Sequence, residues 1–103
     1  MTNQFFLIGR LVGEVKKEVV EDKTKATITL AVNRYYKNEE GVYDTDFLEI
    51  TLYGSIADTT AEYCKNGDLI GTKGIVENNG TGNELIAEKI TFLSTKKEDK
   101  ENE

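Results

Sequence analysis

Two aromatic side chains on one predicted strand are the first candidates for a binding site. Residues 44–53 alternate between apolar and other side chains, which predicts a strand with one buried face. The apolar face consists of Leu48, Ile50 and Leu52. Phe47 and Tyr53 lie on the opposite face, where they are either covered by a partner surface or left exposed as a platform for stacking nucleic-acid bases. The alternation alone leaves both interpretations open.

A second group of aromatic side chains flanks a polar loop. The group consists of Arg34, Tyr35, Tyr36 and Lys37 before the loop and Tyr43 after it. Rings that stack on bases, interleaved with cations that contact the backbone, are typical of a protein that binds single strands. The alternative is that the tyrosines pack the loop against the rest of the protein. Alternation places Tyr36 on the inward side of its strand, and a bulge near Arg34 would reverse that assignment.

Isolated cations occur on several other predicted strands, namely Arg10, Lys16, Lys17 and Lys73. Each by itself is typical of a solvated surface charge. As a group they are candidates for contacts with phosphate groups.

The sequence offers little for catalysis or metal binding. It contains no histidine and no glycine-rich phosphate loop, so a general base and a nucleotide cradle are both missing. Asp44 and Asp46 are close in sequence, but we interpret them as exposed charges because other metal ligands are lacking. Cys64 is the single cysteine and is expected to be a buried apolar residue. We therefore expect a protein that is not an enzyme and that holds no metal or cofactor.

The overall charge argues against a simple polyanion binder. The chain has 13 basic and 19 acidic residues, a formal net charge of −6. Residues 96–103 contain three Lys and four acids, so the rest of the chain keeps a net charge of −5. A nucleic-acid site on this protein must therefore be a local basic or aromatic surface.

The chain also lacks the features of a membrane or exported protein. No stretch approaches the ~18 consecutive apolar residues of a membrane span. The apolar run of residues 5–8 is too short for the core of a signal peptide. Together with the single cysteine, this favours a cytoplasmic protein with no membrane partner.

The predicted elements are short strands and one helix. The first strand covers residues 4–12 and continues as a more polar segment over 14–20, after which residues 21–25 form a charged turn. The other strands are predicted at 26–33, 44–53, 69–77 and 84–93, with the helix at 55–64 and a hairpin turn at 78–83. The spacing of Ser55 and Asp58 predicts a capping box at the helix start.

Three strands, a helix and two strands follow one another in this order. This order predicts an all-β, five-stranded Greek-key barrel of the OB-fold class, with the helix between strands three and four. We expect one domain over residues 1–94 and a short, charged, disordered tail over 95–103.

At this level of detail the sequence resembles bacterial single-stranded DNA-binding proteins. Besides Asn3, the matching stretches are 6–11, 28–34, 46–54 and 61–69, and the resemblance covers about residues 3–93. It implies sequence-tolerant binding of single-stranded DNA, in DNA replication, recombination or repair. By the same matching, stacking roles are implied for Tyr36, Phe47 and Tyr53, and backbone contacts for Arg10, Arg34 and Lys73.

The resemblance also implies a homodimer or homotetramer. Such an assembly would form through the first strand, whose residues here include Phe5, Leu7, Gly9 and Leu11. The chain departs from the family pattern in its short hairpin at residues 78–83, in Leu48 at the centre of strand three, and in its last residues, which lack an acidic tip with a terminal Phe. We therefore expect no replication partners recruited through the tail. A bacterial origin, chromosomal or on a phage or plasmid, fits these features. The alternative function is that of an OB-fold protein-interaction module that has lost DNA binding.

Overall fold

The computed structural model describes residues 1–94. The tail predicted for 95–103 lies outside the described residues. The strands are β1 (Phe5–Leu11), β2 (Lys16–Val20), β3 (Lys23–Lys37), β4 (Tyr43–Tyr53), β5 (Leu69–Asn78) and β6 (Asn83–Ser94), and the helix α1 (Ser55–Tyr63) lies between β4 and β5. The described part of the chain contains no helix with the length and apolar character of a membrane span.

The strands form one sheet that closes into a barrel. Their order is β1-β5-β6-β4-β3-β2, and β1 also pairs with β3 at Arg10 and Leu11. Between β4 and β6 the pairing is parallel and involves Ile50 and Thr51 of β4. β1 and β2 are the two halves of the predicted first strand, separated by a break at Gly13, whose φ is 76°. The prediction of a five-stranded barrel with one helix is confirmed.

The barrel interior is built from the inward residues of β3 and β4. Two cross-strand pairs bring buried side chains together, Ala26 with Leu52 and Ile28 with Ile50, whereas the buried Leu30 lies opposite Leu48, which is only half-buried. Leu11, Ile70 and Ala87 complete the buried cluster from the other strands. Because this apolar side is packed, the alternate residues of β3 and β4 must face outward.

The turn before β3 is shorter than predicted. Only Glu21 and Asp22 form it, with positive φ values of 50° and 65°, while Lys23 and the residues after it already pair with β2. Lys25 therefore belongs to a strand and takes up a defined side of the sheet.

Helix α1 packs against the barrel through the predicted inward residues. Ala57, Thr60 and Cys64 are buried, and Ile56 and Ala61 are half-buried. The predicted capping box is wrong. Gly54 is the N-cap, with φ 69°, and no side chain caps the helix.

The helix start follows from the turn out of β4. A left-handed conformation favours glycine, so the chain turns at Gly54 and Ser55 falls inside the first helical turn. The Asp58 carboxylate instead forms an ion pair with Lys17 Nζ at 3.2 Å.

Close backbone approach requires a glycine at Gly74. A Cβ at this position would overlap the carbonyl oxygen of Ile86 on β6. The approach occurs at a register shift between β5 and β6, next to Lys73. Gly74 therefore allows the two strands to bend together around the barrel.

Candidate nucleic-acid interface

The residues of β3 and β4 that alternate with the core residues form one side of the sheet, here called the β3–β4 face. Its cross-strand rows are Ala31 with Phe47, Thr29 with Glu49, Thr27 with Thr51, and Lys25 with Tyr53. Phe47 is 65% exposed and Tyr53 is 43% exposed. The structure thus brings both aromatic residues together on one open face of a single chain.

Cations border the β3–β4 face on the side away from β4. Arg10 of β1 lies opposite Ala31, and Lys16 of β2 lies opposite Thr27. Lys25 of β3 lies directly opposite Tyr53. Aromatic residues therefore stand on β4, and the basic residues follow the neighbouring strands β1, β2 and β3.

Lys25 was missed by sequence reasoning because it was assigned to the charged turn. A usable signal existed, since Lys25 continues the odd-numbered, outward series of Thr27 and Thr29. Arg10, in contrast, was predicted as a backbone contact and does lie on this face. Its NH1 donates a hydrogen bond to the carbonyl oxygen of Gly67 at 3.0 Å, which orients the side chain.

The second aromatic group lies on a projecting hairpin, here called the tyrosine arm and defined as residues 34–43. The pairing of β3 with β4 shifts register between Asn33 and Lys37, which is the bulge considered near Arg34. As a result Tyr35 and Tyr36 are both exposed, and their rings meet edge to face at 5.2 Å between centroids. Lys37 Nζ lies 5.7 Å from the centre of the Tyr43 ring.

The loop of the tyrosine arm is ordered by one side chain. Asn38 Oδ1 accepts hydrogen bonds from the backbone N–H groups of Glu40 and Val42, at 2.8 and 3.0 Å. Asn38 Nδ2 donates to Asp44 Oδ1 at 3.1 Å. The arm is therefore built by local hydrogen bonds within the chain.

At the base of the arm, the Arg34 guanidinium is already paired. Its Nε and NH2 each lie 3.0 Å from an oxygen of Asp46, and its NH1 lies 3.7 Å from Asp44 Oδ2. The hydrogen bonds from Arg34 hold the pKa of the Asp46 carboxyl below its usual value and raise the pKa of the guanidinium. The Arg34 guanidinium carbon also lies 6.0 Å from the centre of the Tyr36 ring. Arg34 thus connects Tyr36 to the barrel and has much of its charge neutralised.

Lys73 is separated from the other predicted site residues. Its cross-strand neighbours are Phe6 on β1 and Lys89 on β6. In the sheet, β1 lies between β5 and β3, and β6 lies between β5 and β4. Lys73 therefore belongs to a different outer surface of the barrel from Phe47 and Tyr53.

The four residues predicted on the first strand face the barrel. Gly9 and Leu11 are buried, and Phe5 and Leu7 are partly buried against the core. The outward side chains of β1 are Phe6, Ile8 and Arg10. Any contact made by β1 outside the chain would therefore use its backbone edge and these outward side chains.

The groups considered for metal or nucleophilic chemistry have other roles. Asp44 and Asp46 are engaged by Asn38 and Arg34, and residues 1–94 hold no cluster of three or more metal-ligating side chains. Burial raises the pKa of the Cys64 thiol to about 11, and the Asp68 carboxylate adds to the increase. A thiol with this pKa stays protonated and unreactive near neutral pH.

Comparisons with known proteins agree with this architecture. A family model described as the single-strand binding protein family matches residues 2–93. Single-stranded DNA-binding protein 1 of Clostridium acetobutylicum is 33% identical over 107 residues, covering 93% of this chain and 97% of that protein. Single-stranded DNA-binding protein B of Bacillus subtilis is 32% identical over 110 residues, covering 97% of both chains.

Solved structures show the same fold. The wild-type single-stranded DNA-binding protein of Thermus aquaticus superposes with a TM-score of 0.78 at 22% identity, covering 93% of this chain and 52% of that one. The small single-stranded DNA-binding protein of Streptomyces coelicolor superposes with a TM-score of 0.72 at 15% identity, covering 90% of this chain and 95% of that one.

Proposed function

This chain belongs to the single-strand binding protein family, and from that premise we propose that it binds single-stranded DNA by stacking bases on its aromatic side chains. The observation that carries this proposal is the β3–β4 face, where Phe47 and Tyr53 stand exposed on one strand beside a border of cations. The family contains DNA-binding proteins that are not enzymes.

The arrangement of the face suggests the course of the DNA. Tyr53 follows Phe47 by six positions on β4, a distance of about 20 Å along an extended strand. Bases stack on these two rings, and the phosphates follow Arg10, Lys16 and Lys25 on the neighbouring strands. Stacking uses the π-face that every base has, so this mode of binding tolerates any sequence.

The tyrosine arm extends the platform beyond the barrel. Tyr36 is exposed at the arm's base, and Tyr35 beside it is 92% exposed. Arg34 acts here as a positioning residue for Tyr36, because its guanidinium is held by Asp46. Lys73 contacts the DNA only if the DNA continues around the barrel past β1.

The cellular role follows from tolerance of sequence. A protein that covers any exposed strand serves DNA replication, recombination and repair, where single strands are intermediates. We assign the chain to this role in the bacterial cytoplasm, either for the chromosome or for a mobile element.

Assembly through β1 is part of the proposal. Along Phe5–Ile8, β1 pairs with β5 on one side, and its pairing with β3 begins only at Arg10. An open strand edge is a template for pairing with another chain. We propose that β1 of a second copy pairs here, with Phe6 and Ile8 outward beside the junction, giving a homodimer or homotetramer.

Light scattering tests this assembly. Wild-type protein is expected at two or four times the mass of the chain, and Phe6→Glu should lower that mass because like charges meet across the pairing axis. A wild-type monomer at all concentrations would reject assembly through β1.

Titration with oligo-dT tests DNA binding. An oligomer of about 35 nucleotides offers at least two sites of roughly 4–16 nucleotides each. Fluorescence anisotropy should show binding by wild type and strong weakening in the Phe47→Ala/Tyr53→Ala double variant, with circular dichroism confirming that the variant is folded. Absence of wild-type binding at low salt would reject the proposal.

The alternative, a protein-interaction module, is favoured by the net charge of −6 and by the short hairpin at residues 78–83. It requires Phe47 and Tyr53 to be covered by a protein partner. Their joint exposure beside Arg10, Lys16 and Lys25 supports DNA instead, because a row of cations is what phosphate groups need.

A further inference from the structure

Glu49 lies within the aromatic row of the β3–β4 face. Between Phe47 and Tyr53, the outward positions of β4 are Glu49 and Thr51. Thr51 Oγ1 donates a hydrogen bond to Glu84 Oε2 at 2.8 Å and is buried, whereas Glu49 is exposed. Among residues 1–94 the Glu49 carboxylate forms no ion pair. An accessible, uncompensated acceptor therefore stands in the middle of the platform.

The position of Glu49 relative to the cations determines which part of a bound DNA molecule Glu49 contacts. Glu49 is two residues from Phe47, about 7 Å along β4, and its cross-strand neighbour is the neutral Thr29. The cations Arg10, Lys16 and Lys25 lie on the strands to one side. A single-stranded DNA bound with its phosphates over these cations and its bases over β4 presents base edges to Glu49. This orientation also keeps the phosphates away from the carboxylate.

The chemistry of a carboxylate then discriminates among bases. An ionised carboxylate only accepts hydrogen bonds. Cytosine and adenine offer exocyclic amino groups as donors, whereas the corresponding group of thymine or uracil is a carbonyl oxygen, an acceptor that repels the carboxylate. On the premise of the proposed function, we infer that Glu49 is a specificity-determining residue that favours amino-bearing bases over thymine and uracil.

The test compares oligo-dC with oligo-dU of equal length, about 20 nucleotides, which covers at least one site. The two pyrimidines have the same ring size and neither carries a methyl group, so the amino and carbonyl edges are compared directly. Anisotropy titrations at mildly alkaline pH keep cytosine unprotonated. The measured quantity is the ratio of oligo-dC affinity to oligo-dU affinity.

Glu49→Gln keeps the shape of the side chain but gives it both a donor and an acceptor. The affinity ratio should fall by about fivefold in this variant, the size expected for one hydrogen bond to a charged acceptor on a wet surface. Glu88→Gln is the matched control, because it removes the same charge from an exposed position on β6, at the register shift opposite β5 and away from the β3–β4 face. The control should leave the ratio unchanged.

Each outcome has a distinct meaning. A lower ratio in Glu49→Gln but not in Glu88→Gln supports the inference. An unchanged ratio overturns it, whether affinity stays constant or rises equally for both oligomers, since an equal rise would mean that Glu49 only repels phosphates. Failure of the wild type to bind either oligomer would reject DNA binding itself, which is a different result from binding without discrimination.

Discussion

Arg34 and Asp46 form a two-pronged ion pair across β3 and β4, with both N–O distances at 3.0 Å. The pair lies where the regular pairing of the barrel ends and the tyrosine arm begins. It joins an arm that carries exposed rings to the barrel wall. Because the guanidinium is already satisfied by Asp46, its charge is largely unavailable to a phosphate group in the free protein.

The salt dependence of binding should therefore distinguish Arg34 from Lys25. Each phosphate contact contributes about 0.7 to the slope of log affinity against log salt for single strands. Lys25→Gln should lower the slope by roughly this amount, because Lys25 is adjacent to Tyr53 and forms no ion pair within residues 1–94. Arg34→Gln should lower affinity with little change in slope. An equal loss of slope in both variants would mean that the Arg34–Asp46 pair opens when DNA binds.

The same pair makes stability depend on acid pH. The folded-state pKa of Asp46 is lowered, so its stabilising contribution is present above the ordinary Asp pKa of about 4 and is lost as pH falls through the folded-state value. The free energy of unfolding of wild type minus that of Asp46→Asn should be largest near neutral pH and shrink in acid. Urea unfolding at a series of pH values measures this difference. A difference that grows toward acid pH would contradict the assignment.

Phe47 and Tyr53 should contribute independently to binding. Replacement of either residue by Ala should weaken oligo-dT binding by about 1–3 kcal/mol per lost stack. At about 20 Å apart along β4 the two effects should add, since coupling is expected only between neighbours. Tyr63→Ala is the control, because Tyr63 is a ring at the end of the helix that is at least as accessible as Tyr53 and nearly as exposed as Phe47. Weakening by the control to the same extent would show that the loss is not specific to the β3–β4 face.

Gly74 and Gly82 should differ sharply in their tolerance of a methyl group. Gly74→Ala forces a Cβ onto the Ile86 carbonyl and should lower the free energy of unfolding by about 1–3 kcal/mol. A Cβ at Gly82 meets nothing within 4 Å, so Gly82→Ala should be neutral within about 0.5 kcal/mol. Chemical denaturation of both variants provides the comparison. Equal stability of the two variants would show that β5 and β6 can move apart at this bend and relieve the contact between the new Cβ and the Ile86 carbonyl.

Strand alternation predicted the face of β4 because its two sides meet opposite environments. Ile50 and Leu52 are buried in the core and Leu48 is half-buried, so the outward position of Phe47 and Tyr53 followed from a period of two, although Thr51 on the outward side is buried as well. The same reasoning worked for the inward side of the helix, where Ala57 and Thr60 are buried.

Features that depend on pairing between strands were not predictable in this way. The Arg34–Asp46 ion pair requires the register of β3 against β4, which neither strand encodes alone. Lys25 was assigned to a turn because a run of charged residues is typical of a loop, although the turn itself needs only the two residues Glu21 and Asp22. The capping box failed because the backbone at Gly54 decided where the helix starts.

The parallel pairing of β4 with β6 closes the barrel over only a short length. β4 is joined to β3 along most of its length but to β6 only at Ile50 and Thr51. On its other side, β3 is joined to β1 only at Arg10 and Leu11. The β2–β3–β4 ribbon is thus held to the rest of the sheet by two short seams, and the surface proposed to bind DNA lies on a ribbon that is itself paired along most of its length.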